Sequence, residues 1–176
     1  MTFHPTRRRA LGILAAASVL SLTSRAVAER PALPRPLGKP ILRVGGRIKV
    51  VNDGVEAVFD RDMLEALGAR SFATATPWTE GVPVWEGVPL SVLMDHLGAE
   101  GTTIRATALN DYVTELPMKE LATDGAILAM RRDGQPMPVS DKGPLFVVYP
   151  FDQRQDLKRQ EVFARCAWQL ARLDVF

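Results

Sequence analysis

F-A-T-A-T-P-W-T-E-G-V-P-V-W-E-G-V-P-L, residues 72–90, is the stretch on which the reading of the whole chain turns. Ser71 to Thr76 mixes small, aromatic and β-branched residues and reads as a strand running into the Pro77-Trp78 corner. Val82 to Val88 resumes the strand pattern, with Gly87 as a break. Leu90 to Leu97 then switches to helical spacing, with Val92, Leu93 and Leu97 on one face and Gly98 as the stop. Trp78 and Trp85 are two of only three tryptophans in the chain. Trp85 suits a core position, whereas the proline-flanked Trp78 is the more available flat surface, with the hydroxyls of Thr74 and Thr76 beside it.

Outward from this stretch the same grammar repeats. Ile41–Val44 and Arg47–Val51 read as strand around a Gly45-Gly46 bend, Asn52-Asp53-Gly54 as a turn and Val55–Phe59 as a second strand. Asp60 caps a short helix that Gly68 ends. Thr103–Leu109 and Tyr112–Leu116 pair across Asn110-Asp111, and Met118–Leu121 makes a brief helix. Ala126–Met130 and Leu145–Tyr149 read as buried strands, Asp133-Gly134 as a tight turn, and Cys166–Val175 as the last strand. Many short strands with a few short helices indicate a sheet-rich α+β domain spanning residues 41–176.

The N-terminal part reads differently. Arg7-Arg8-Arg9, an apolar run from Ala10 to Leu22 and the small residues Ala26-Val27-Ala28 form a secretory signal peptide over residues 1–28. The run is too short to span a bilayer. Thr6–Leu11 loosely resembles a twin-arginine signal, with Ala10 where a bulkier residue is preferred, so either export route fits. Residues 29–40 are proline-rich and read as an extended linker. Residues 1–28 hold four of the 22 basic side chains and none of the 20 acidic ones, so the remainder is slightly acidic. No basic stripe survives for nucleic acid. One cysteine excludes an internal disulfide, and the two histidines, one inside the leader, exclude a histidine-rich metal cage.

Two further clusters sit where binding groups concentrate, at the ends of strands. Asn110-Asp111-Tyr112 is either a plain turn or a carboxylate, carboxamide and phenol presented together. Tyr149-Pro150-Phe151-Asp152 follows a buried strand and offers two rings and a second carboxylate, which also reads as an ordinary loop acid. Gln153–Arg165 is a charged, solvated loop or helix, and Cys166 an inert buried thiol.

W-E-G-V-P-L at 85–90, A-L-N-D-Y at 108–112, L-A-M-R-R-D-G-Q-P-M at 128–137 and W-Q-L-A-R-L-D-V at 168–175 together resemble the sulfite oxidase-like molybdopterin-binding domains. The likeness runs from Ile41 to Phe176 and implies their sheet-rich fold. In that family a thiolate ahead of the tryptophans ligates molybdenum. Phe72–Thr76 offers only Phe, Ala and Thr, and Thr does not replace a soft sulfur. Asp141-Lys142-Gly143-Pro144-Leu145 stands where larger members have H-G-x-P-x-R and lacks both the His and the Arg.

The resemblance therefore implies a reduced pterin held without metal, no catalytic residue and no metal ligand. The implied ligand-binding set is Thr76, Trp78, Asn110, Asp111, Tyr112, Tyr149, Phe151 and Asp152. Asp111 is the first choice for a forked acceptor of the pterin amino group and ring N–H. Small exported members are similar to periplasmic pterin-binding regulators, which implies a membrane-bound partner of cyclic di-GMP turnover. The alternatives are an oxidoreductase that retains molybdenum cofactor and an assembly subunit with a vestigial pocket.

Overall fold

Turn chemistry and alternation set the order of elements in a computed structural model that describes residues 1–2 and 33–176. The expected signal peptide and the start of the proline-rich stretch lie outside the described residues. The first half comprises β1 (Leu42–Gly46), β2 (Ala57–Phe59), α1 (Arg61–Ala66), β3 (Arg70–Ala73), β4 (Val84–Pro89) and α2 (Leu90–Leu97). Then come β5 (Thr103–Ala108), β6 (Val113–Pro117), α3 (Leu121–Asp124) and β7 (Ile127–Arg132). The chain finishes with β8 (Gln135–Pro136), β9 (Phe146–Val148), α4 (Gln160–Phe163) and β10 (Leu170–Val175).

The strands form two sheets. One has the order β2-β1-β10-β5-β6, with β1 and β10 parallel and the other pairs antiparallel. The second runs β3-β4-β7-β8, with β9 also on β7. A single apolar cluster takes side chains from both, including Leu42, Val44 and Leu173 from the first and Trp85, Leu128 and Phe146 from the second. Sheet-rich with short helices, this is the α+β fold the sequence implied.

Gly87 shows why W-E-G-V-P-L needs its glycine. Any Cβ there would collide with the Leu128 carbonyl on β7, and the register of that pair shifts between Glu86 and Gly87.

Three expectations are corrected. Arg47–Val51 is not a strand, because Gly46 turns out of the ladder at φ +81° and Lys49 and Val50 both donate to the Leu97 carbonyl at the end of α2. Thr74–Thr76 lies beyond β3, which ends at Ala73. Cys166 precedes β10 instead of alternating within it, and its thiol points at the Val162 carbonyl of α4, 3.6 Å away. The charged stretch 153–165 also reaches inward, burying Leu157 and Val162.

The described part of the proline-rich stretch lies against the domain. Leu33 joins the core, and Asn52 donates to the Pro34 carbonyl at 2.6 Å. The Asp60 carboxylate caps α1 through Met63 N (2.9 Å) and also accepts from the N–H groups of Leu37 (2.9 Å) and Gly38 (2.8 Å). Those bonds, that from Gly38 foremost, hold the Asp60 carboxyl below its ordinary range.

Candidate functional site

The loop after β3, where the sequence resemblance puts the family's thiolate, is a structural clamp in this chain. The buried Thr74 hydroxyl accepts from Asp152 N at 3.0 Å, and its carbonyl accepts from the Trp85 indole N–H at 3.1 Å. In return Asp152 accepts from Ala75 N at 2.8 Å through one oxygen and from Lys158 at 2.9 Å through the other. Gln153 adds a bond to the Ala73 carbonyl at 2.8 Å. The Ala75 N–H first, then Lys158, pulls the Asp152 carboxyl down. Asp152 therefore fixes the loop through both of its oxygens, while its side chain stays partly exposed.

Beyond the clamp the chain turns at Pro77 and presents Trp78. The Thr76 hydroxyl meets that of Thr79 at 2.8 Å and accepts from Trp78 N, so Thr76, itself buried, shapes the turn. Trp78 is half-buried against Trp168 (5.5 Å between centroids), Phe163 (6.1 Å) and Phe146 (6.3 Å). All three contacts are T-shaped. Among the described residues no ring lies parallel on the indole. Edge contacts of this kind stiffen the ring while leaving it able to stack. Trp78 also lines a cavity of about 300 Å³ with Thr79, Glu80, Pro83, Arg132 and Asp133.

Asn110, Asp111 and Tyr112 lie on the turn between β5 and β6. The Tyr112 hydroxyl donates to the Ala164 carbonyl at 2.7 Å, which ties the β5–β6 turn to the residue after Phe163. Leu109 N donates to the Gln169 carbonyl, and Gln169 N to the Lys142 carbonyl. Asn110 closes the turn by accepting from Tyr112 N at 3.2 Å. Asp111 sits at φ +63°, exposed, with no hydrogen bond or ion pair to its carboxylate among the described residues. Asp111 is thus an unpaired acid at the tip of an exposed turn, whereas Asp152 is engaged at both oxygens.

Tyr149 and Phe151, expected in the ligand-binding set, are core residues, 1% and 0% exposed, because the chain leaving β9 stays inside the core. Phe151 packs on Phe163 at 4.9 Å and on Tyr149 at 5.9 Å, so it supports Trp78 from behind through Phe163. Burial, reinforced by the nearby Asp124 carboxylate, pushes the Tyr149 phenol far above its usual range.

Four residues outside the implied ligand-binding set also contribute. Phe163 and Trp168 hold the indole, and Arg132 and Lys142 meet on Asp141 at 2.5 and 3.5 Å. Arg132 keeps the Asp141 carboxyl low. Lys142 and Gln169 both take left-handed backbone (φ +62° and +53°), a conformation that sequence pattern does not announce for those residues.

A protein-ligated molybdenum does not fit the donors present. Thr74 and Thr76 are engaged in hydrogen bonds, and the one thiol, Cys166, is buried and its ionisation strongly opposed by that burial. Among the described residues no three His, Cys, Asp or Glu side chains gather as a metal site. What is left for a flat polar ligand is an unstacked indole on one loop and an unpaired carboxylate on another. The family model for the oxidoreductase molybdopterin binding domain matches residues 61–152. No curated protein matches the chain.

Proposed function

Because the chain belongs to the oxidoreductase molybdopterin-binding domain family, we propose that it holds a reduced pterin without metal and works as a binding protein, not a redox enzyme. The observation that carries this reading is the conversion of the metal-bearing loop into the Thr74–Asp152 clamp, with Trp78 left rigid and unstacked just beyond it. Trp78 supplies the stacking face. Asp111 accepts from the pterin amino group and ring N–H as a forked pair, and Tyr112 fixes the turn that carries it.

The leader pattern in residues 1–28 supports export to the periplasm. There the loaded protein signals to a membrane-bound enzyme of cyclic di-GMP turnover, a role that rests on the resemblance to small exported members of the family. Among the described residues no helix is long and apolar enough to cross a membrane.

Anaerobic titration with tetrahydropterin, read by intrinsic tryptophan fluorescence, tests the site. Saturable quenching is expected, lost in Trp78→Phe while the urea midpoint stays near the parent value. Quenching unchanged in Trp78→Phe would remove the stacking assignment, and no quenching at all would favour a vestigial pocket.

A further inference from the structure

We propose that an apolar cavity at the head of β1 and β10 is a second ligand site, for a small amphiphile with one hydrocarbon chain and one anionic head. It does not depend on the pterin reading, since it shares no lining residue with the Trp78 cavity.

The cavity follows from the topology. β1 and β10 run parallel and both begin here, so no hairpin joins these two neighbours, and the β5–β6 turn contributes Leu109 at the side of the space. The β10 register also shifts between Leu170 and Arg172, opening the ladder beside β5. The resulting space is about 420 Å³, within the roughly 300–1,000 Å³ that small-molecule sites span. Its floor is sealed, with Leu42, Met137 and Leu170 at 1%, 4% and 0% exposure. Its rim is open and greasy, since Leu109 and Val139 are about half exposed. Water against such a surface is displaced favourably by hydrocarbon.

Charge selects the head group. The two charged residues of the lining, Lys39 and Arg43, are both basic. The Arg43 guanidinium is already engaged by Glu56 at 2.8 Å and Asp53 at 3.3 Å. Lys39 is exposed and has no carboxylate partner among the described residues. A fatty carboxylate that fills the apolar space and meets Lys39 satisfies both features. An alcohol of equal length satisfies one, and an alkylammonium opposes the other.

The test is a titration of the full chain, labelled at its methionine methyl groups, with decanoate, decanol and decyltrimethylammonium below their aggregation limits. Met137 reports from the cavity floor. Decanoate is expected to shift the Met137 methyl selectively and to bind at least about tenfold tighter than decanol. Affinity should rise about fourfold per methylene from hexanoate to decanoate. Lys39→Gln should bring decanoate down to the level of decanol and leave decanol unchanged. Val139→Asp, which adds an acid to the exposed rim, should abolish decanoate binding.

The proposal is overturned if Met137 does not move, or if all three amphiphiles bind alike. It is also overturned if the shift appears only with phosphatidylglycerol vesicles, or if it follows protein concentration without ligand, which marks a second copy as the occupant.

Discussion

Residues 110–112 and 149–152 pair rings with a carboxylate at the end of a strand, and the fold treats them in opposite ways. In Tyr149–Asp152 the rings go into the core and the acid is absorbed by Ala75 N and Lys158. In Asn110–Tyr112 the phenol reaches across to Ala164, the carboxamide closes the turn, and the acid is left free on a left-handed backbone. The difference comes from what each strand leads into. β9 is buried along its length and its chain continues inward, whereas β5 and β6 are joined at the exposed end of their sheet. An aromatic–acid cluster thus becomes support where its rings turn into the core, and leaves its acid unpaired where its turn stays outside.

The sharpest way to break this contrast is Phe151→Ala, which empties a fully buried ring site behind Phe163. It should cost about 3–5 kcal/mol in urea unfolding, whereas Tyr112→Phe should cost about 1 kcal/mol. Equal losses would show that the two segments share one role. Next in size is Asp152→Ala, expected to cost about 1–2 kcal/mol through the lost bonds to Ala75 and Lys158 and to loosen the loop leading to Trp78. Faster amide exchange at Ala75, with no change at Asn110, is the signature to look for.

Asp111→Gly separates stability from binding. Glycine suits the left-handed backbone, so the fold should gain about 0.5 kcal/mol, while pterin affinity falls about tenfold or more with the forked acceptor gone. Affinity retained in this variant would move recognition elsewhere, with Glu80 in the Trp78 cavity as the next acid to change.

The smallest expected effect is on pH. The Asp152 carboxyl titrates below its unfolded value of about 3.9, so its stabilisation is complete above that pH and fades as pH falls through the folded value. Asp152→Asn should flatten this acid limb of the stability curve, and an unaltered limb would assign it to other carboxylates such as Asp60.

Much of this arrangement was legible in the residues. Alternation and glycine stops located the strands and α2, and W-E-G-V-P-L marked the close approach of β4 to β7. The Ala108–Tyr112 turn was readable from Asn-Asp between two strands. Other features were not. Nothing local distinguishes Arg47–Val51 from a strand, because the partner that diverts it is the Leu97 carbonyl, far along the chain. The fate of Asp152 was hidden for the same reason, its partner Ala75 lying 77 positions away. Phe163, inside a charged stretch, gave no periodic signal, yet it carries the contact from Phe151 to Trp78.

A pocket that keeps a pterin and has given up a thiolate-held metal is the proposal most exposed to a single measurement. Its most direct test is the small-molecule and metal content of the protein isolated without chelators from a molybdenum-replete host. The account predicts about one reduced pterin per chain and no stoichiometric molybdenum. A phosphate-bearing dithiolene pterin with one molybdenum per chain would contradict it.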